Sequence, residues 1–128
     1  MPLAVVEDPG DGGITVRRAR LGDYVEAARI LASLVPPGRV ASYSWVARML
    51  GVSPRLAGRA LALNPDPIVY PCHRIVRSDG GLGGYSRGGP RVKEALLRLE
   101  GVPVHNGRVD PAALVEPLEL PSPAYYQS

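Results

Sequence analysis

Residues 42–64, SYSWVARMLGVSPRLAGRALALN, decide how this chain folds. Trp45, Val46, Met49 and Leu50 fall on one face at helical spacing, Ser42 or Ser44 is available as a cap, and Gly51 is a stop signal. After a short turn, Pro54 at a favourable first-turn position opens a second segment that reads helical to Leu63. Its faces differ. Leu56, Ala60 and Leu63 form a core stripe, while Arg55, Gly58, Arg59 and Ala62 present two cations and two minimal side chains. Two short helices joined by a tight turn, the second offering arginines over a nearly bare backbone, match a helix-turn-helix; an ordinary helical hairpin is the alternative.

On the N-terminal side, GDYVEAARILASLVPPG (22–38) predicts a helix from about Asp23 to Leu34. Asp23 serves as N-cap, Tyr24, Ala27, Ala28, Leu31 and Leu34 share a face, and Pro36-Pro37-Gly38 ends it. Residues 1–22 read as a loose arm with one short strand at ITVRRA. On the C-terminal side, PIVYPCHRIV (67–76) is expected to be extended on both sides of Cys72, because each proline turns its predecessor away from helix. The glycine-rich SDGGLGGYSRGG (78–89) is a loop. PRVKEALLRLEG (90–101) is a helix packed through Val92, Ala95, Leu96 and Leu99, with Glu94 and Arg98 paired and Lys93, Leu97 and Glu100 toward a neighbouring face. The reading divides the chain into an arm (1–22), a working domain (23–103) and a proline-interrupted tail (104–128) that wraps the domain or stays mobile.

The totals narrow the function. A chain of 128 residues, 45% hydrophobic, suffices for one domain with a modest core. One Cys forms no internal disulfide, and with two His there is no ligand set at zinc spacing, so neither metal nor disulfide is expected. No apolar run approaches a membrane span and no basic leader precedes one, so the expected location is the cytoplasm. Residues 36–100 carry ten Arg or Lys against four acids, while the remainder carries five against eight. A basic middle between acidic ends suits a polyanionic partner, with a solvated basic face as the plain alternative.

Cys72 is thus either an inert core thiol or a nucleophile. A nucleophile needs a base or a positive field beside it. His73 is adjacent, but in an extended segment neighbouring side chains point to opposite faces, so contact needs a bend or a bridging water.

The surrounding motifs are more specific. NPDPIVYPCHRIV, followed by GGLGGYSRGG and KEALLRLEG, resembles the active-site domain of the O6-alkylguanine-DNA alkyltransferases, also called methylated-DNA:protein-cysteine methyltransferases. PPGRVASYSWVARMLG and PRLAGRALALNP match the same family in order and spacing, from about Ile30 to Gly101. The resemblance implies a mainly α, winged helix-turn-helix-like DNA-binding domain with little β structure, working as a monomer without cofactor. It implies that Cys72 accepts the alkyl group of a flipped-out guanine and keeps it, so that the reaction runs once per molecule. His73 would deprotonate Cys72 through a water, Glu100 would orient His73, and Asn64 would join that network. Tyr43 would serve guanine N3, and Arg55 would replace the departed base in the stack. The carbonyls of Cys72 and Ile75 would receive the guanine amine. Tyr85 and Ser86 would lie on the loop closing over the base, with Leu61 beside the pocket. Gly58, Arg59 and Ala62 would meet double-stranded DNA in the minor groove, largely independently of sequence. Lys93 occupies a family lysine position.

Alkyltransferase-like proteins, of similar size, bind alkylated guanine without transfer and recruit other repair factors; EGVPVHNGRVD resembles their tail, although they characteristically lack the cysteine. Cys72, His73, Asn64 and Glu100 together favour transfer and, in a prokaryote, a place at the nucleoid. A sequence-reading regulator would not need PCHR, and a cysteine hydrolase would turn over small esters.

Overall fold

The structure, a computed structural model, describes residues 4–64, 71–85 and 88–117. A hairpin comes first: β1 (Ala4–Glu7) pairs antiparallel with β2 (Thr15–Arg18), Val6 facing Val16. The arm therefore contains two strands rather than one. The turn between them is rich in glycine and acids, and Glu7 and Asp23 both pair with Arg17, tying the hairpin to the first helix.

Helix α1 (Leu21–Ser33) begins two residues before the expected start. Arg20 is the N-cap, and Asp23, one turn inside, accepts the Arg20 backbone N–H at 2.8 Å. An acid within the first turn satisfies an otherwise unpaired donor and opposes the positive end of the helix, which a sequence reading cannot distinguish from a cap at the same residue. Tyr24, Ala28, Leu31 and Ala32 are buried, whereas Leu34, expected on the same face, is 39% exposed beyond the helix end.

The decisive stretch folds as two helices. In α2 (Tyr43–Leu50), Ser42 caps by accepting the Trp45 N–H at 3.0 Å, and Gly51 ends it in the left-handed region at φ 71°. In α3 (Pro54–Ala62), Ser53 caps by accepting from Leu56. Both helices pack against α1 and each other around Trp45, whose indole N–H donates to the Pro117 carbonyl. Burying one such ring contributes about 2–3 kcal/mol. The core face of α3 is Ala57, Ala60 and Leu61, while Leu63 is 51% exposed. Met49 in α2 is likewise half-exposed, and Ala47 takes its place inside.

After α3 the described chain resumes at Pro71 with one 3-10 turn, Cys72–Arg74, and runs directly into β4 (Ile75–Val76). β4 pairs in parallel with β3 (Ala41–Ser42), which leads into α2. Helix α4 (Gly89–Leu99) packs through Lys93 and Leu97. Val92 and Leu99, expected inside, are 39% and 84% exposed. The hairpin β5 (Val104–His105) and β6 (Arg108–Val109) covers a second apolar cluster of Val40, Val76, Leu82, Leu97, Val102 and Val104. Residues 110–117 then run beside Val40, where Leu114 forms a parallel bridge. Among the described residues the architecture is mainly α with three two-stranded sheets, in keeping with the expected mainly α fold with little β structure. No helix among the described residues is long and apolar enough to cross a membrane.

Candidate active site

Cys72 is 6% exposed and lies on the wall of a cavity of about 720 Å³. Tyr43, Arg55, Gly58, Leu61 and Ala62 line it from the helix-turn-helix side, and Tyr85 from the glycine loop. Arg59 and Ile75 do not line it: Arg59 is exposed on α3 and Ile75 is fully buried in β4. Ser86 lies outside the described residues. Cys72–Arg74 itself forms a 3-10 turn; the expected extended run after it is present as Ile75–Val76 in β4, and the one expected before Pro71 lies outside the described residues. In a 3-10 turn successive residues are rotated by about a third of a turn, so the alternation that would set Cys72 and His73 on opposite faces does not apply. Pairing of the next two residues with β3 anchors the turn against α2.

Behind Cys72, His73 is 4% exposed, and its Nε2 lies 2.8 Å from Glu100 Oε1 at the end of α4. Burial holds the imidazole below its ordinary pKa, outweighing the Glu100 carboxylate, which raises it. Glu100 is itself held below the usual carboxylate range by the Arg74 guanidinium and by His73, against a burial effect that pulls the other way. An ionised carboxylate only accepts hydrogen bonds, so the neutral imidazole carries its proton on Nε2. Nδ1 is left with its lone pair, buried and without a hydrogen-bond partner among the described residues. Arg74 fixes the carboxylate. It binds both Glu100 oxygens, with Nε at 3.0 and 3.2 Å, and its other arm reaches the Val35 carbonyl at 2.8 Å. The sequence reading gave this residue no role, although it stands in the PCHR motif.

Across the cavity, the Tyr43 hydroxyl receives a hydrogen bond from Lys93 Nζ at 3.1 Å, and the same ammonium donates to the Gly84 carbonyl at 3.2 Å. Lys93 is completely buried, and burial pulls its pKa down to about 8. Burial likewise pushes the Tyr43 phenol up to about 12. Gly83 makes this contact fit: its φ is +73°, and a Cβ there would lie 2.9 Å from the tyrosine ring. Helical periodicity placed Lys93 off the packing face because a lysine is normally read as solvated. Only the apolar spacing of Leu97, four residues on, marks that face as the inner one.

Of two further residues at the end of α3, Leu61 lines the cavity and Asn64 does not. Leu61 is 4% exposed, and Asn64 is buried at the end of α3, its N–H donating to the Leu61 carbonyl at 3.1 Å. At Gly58 an added Cβ would meet only the Tyr43 ring, at 3.9 Å, which is ordinary contact. Nothing among the described residues therefore requires glycine at that position.

The family model for the DNA-binding domain of 6-O-methylguanine DNA methyltransferase matches residues 25–102. A methylated-DNA–protein-cysteine methyltransferase of Methanothermobacter thermautotrophicus is 47% identical over 91 residues, 71% of this chain and 47% of that protein. The chain spans about half the length of the curated relatives it matches. The crystal structure of the O6-methylguanine-DNA methyltransferase of Pyrococcus kodakaraensis superimposes with a TM-score of 0.56 at 42% identity, covering 62% of this chain and 46% of that one. Schizosaccharomyces pombe Atl1, solved in complex with damaged DNA containing O6-carboxymethylguanine, shares the fold with a TM-score of 0.65 at 23% identity, covering 77% of this chain and all of that one. Both the helix-turn-helix and the buried Cys72–His73–Glu100 arrangement fall within the matched span, and the chain belongs to the 6-O-methylguanine DNA methyltransferase family through its DNA-binding domain.

Proposed function

We propose that this chain repairs duplex DNA directly, moving the alkyl group from O6 of an alkylated guanine onto the Cys72 sulfur, once per molecule. The observation that carries the reading is a buried thiol on a cavity wall, next in the chain to a histidine held by a carboxylate. Through a bridging water, His73 Nδ1 takes the thiol proton, and Glu100 stabilises the imidazolium that forms. Asn64 is assigned to the same network. The thiolate then attacks the alkyl carbon in line: the S–C bond forms, the C–O6 bond breaks, and its electron pair leaves with the guanine. The Tyr43 hydroxyl, protonated at neutral pH because its pKa is near 12, supplies the proton that guanine N3 takes up. Lys93 faces the phenol and stabilises the charge left on it.

The target atom is out of reach within a stacked duplex, so the nucleotide must rotate out, at a cost of a few kcal/mol. Arg55, Gly58, Arg59 and Ala62 lie on the outer face of α3 beside the cavity, which suits docking in the minor groove with little sequence preference. Arg55 fills the gap in the stack, and the glycine that no described residue requires lets the backbone approach DNA. In the pocket, the Cys72 carbonyl receives the exocyclic amine; Ile75, which does not line the cavity, is not assigned to it. The Cys72 carbonyl already accepts the Ile75 N–H, and its second lone pair serves the guanine. Tyr85 closes over the base, and the protein works as a monomer in the cytoplasm, at the nucleoid in a prokaryote.

The test is transfer of labelled methyl from O6-methylguanine in a duplex to protein. Transfer by the parent chain and none by Cys72→Ala, with lesion affinity retained, is the expected result. Tight lesion binding without any transfer in the parent would instead make it a damage sensor that recruits other repair factors.

A further inference from the structure

We propose that a second depression beside the Cys72 cavity is a track for the phosphates of the lesion-bearing strand, gripped by Arg48 and Arg77 and guarded by Glu116. The inference rests on the function proposed above and names surfaces that the alkyl-transfer chemistry does not use.

The depression has a volume of about 510 Å³ and is lined by Ser42, Ser44, Arg48, Ser78, Leu114 and Glu116. Ser44 and Ser78 also line the Cys72 cavity, so these two hydroxyls form the ridge between the two spaces. Arg77, the residue before Ser78, lines the cavity as well. A nucleotide turned into the cavity leaves its phosphodiesters at the rim. One guanidinium in each space, Arg77 in the cavity and Arg48 in the depression, and the two hydroxyls between them offer the donors that phosphate oxygens take.

These arginines differ from the one that builds the site. Arg74 is buried and held by Glu100 and a main-chain carbonyl. The Arg77 and Arg48 side chains are 62% and 60% exposed, and each pairs with an exposed carboxylate, Asp79 and Glu116 respectively. Exposed pairs contribute little to a fold, so exchange of carboxylate for phosphate is nearly free. The two acids are not equivalent. Asp79 also engages Arg108, at 3.5 Å from the carboxylate and 3.0 Å from its carbonyl, and keeps that cation when Arg77 turns to DNA. Glu116 lines the depression itself, so once phosphate takes Arg48 the carboxylate faces the strand and repels it.

Binding of a duplex carrying one O6-methylguanine, and of the undamaged duplex, is measured against salt with the full chain carrying Cys72→Ala so that the lesion is not consumed. Arg48→Ala and Arg77→Ala should each reduce the slope of log K against log salt by about 0.9, or about 3.5-fold in affinity between about 50 and 200 mM salt. Glu116→Gln should tighten binding of both duplexes by roughly three-fold, on the scale of one such contact. Unchanged slopes in the arginine variants, or a Glu116→Gln chain that binds no tighter, would overturn the track while leaving lesion preference standing. Absence of lesion preference before any track residue is changed would overturn the proposed function and the track with it.

Discussion

Replacing Lys93 by Met should make the protein more stable at neutral pH and less stable in alkali. The ammonium is completely buried, with two hydrogen bonds, and its pKa falls from 10.5 to about 8. Because the folded value lies below the unfolded one, the unfolded chain holds more protons between those pH values, and stability rises with pH across that window. Burying the lysine costs about 3 kcal/mol at pH 7, where it stays charged, and about 1 kcal/mol at pH 10, where it releases its proton on folding. Met fills a similar volume without charge but forfeits the bonds to Tyr43 and Gly84, about 1 kcal/mol each. The variant should therefore gain about 1 kcal/mol over the parent at pH 7 and lose about 1 kcal/mol at pH 10. Urea unfolding of both chains at the two pH values measures this. A stability difference that does not change with pH would refute the buried-cation reasoning. Methyl transfer by the same variant should fall at every pH, because the Tyr43 hydroxyl loses the hydrogen bond it accepts from Lys93.

Other substitutions probe separate parts of the site. Glu100→Gln should slow transfer by about 10²-fold while sparing lesion affinity, since the neutral amide neither fixes the Nε2–H tautomer nor stabilises imidazolium; an unchanged single-turnover rate would remove Glu100 from the base pair. The parent's acid limb should lie below the ordinary histidine range, because the depressed His73 pKa keeps Nδ1 unprotonated to lower pH, and a rate that already declines above pH 7 would contradict this. Gly83→Ala should cost about 2–4 kcal/mol, from a residue at φ +73° and a methyl forced 2.9 Å from the Tyr43 ring, and a loss under about 0.5 kcal/mol by thermal unfolding would show that the contact relaxes. Arg55→Ala should erode preference for the lesion duplex more than affinity for undamaged DNA, as read by competition binding; equal losses would reduce Arg55 to a phosphate contact.

The helix-turn-helix was legible because its signals are local: Ser42 and Gly51 bracket one helix, and Pro54 opens the next. Which face turns inward was less legible where side chains contradict their usual environment. On α4, apolar Val92 and Leu99 face out while Lys93 is buried, because its ammonium is held by the Tyr43 hydroxyl, from α2, and by the Gly84 carbonyl of the loop leading into α4. On α3, Leu63 is displaced from the core by Leu61, whose position is set by packing against α1 and the cavity rather than by period alone. The pairing of β3 with β4 joins residues more than thirty positions apart and leaves no local trace in two-residue strands. Cys72, His73 and Glu100 could be named from motifs, but Arg74, which holds the carboxylate in place, emerges only from the geometry.

The most direct measurement is the intact mass of the protein after incubation with excess duplex containing O6-methylguanine, followed by mapping of the modified peptide. The account predicts a gain of one methyl per chain, located on Cys72, with no further increase on longer incubation. An unchanged mass under conditions where the lesion is bound, or a methyl on any other residue, would contradict it.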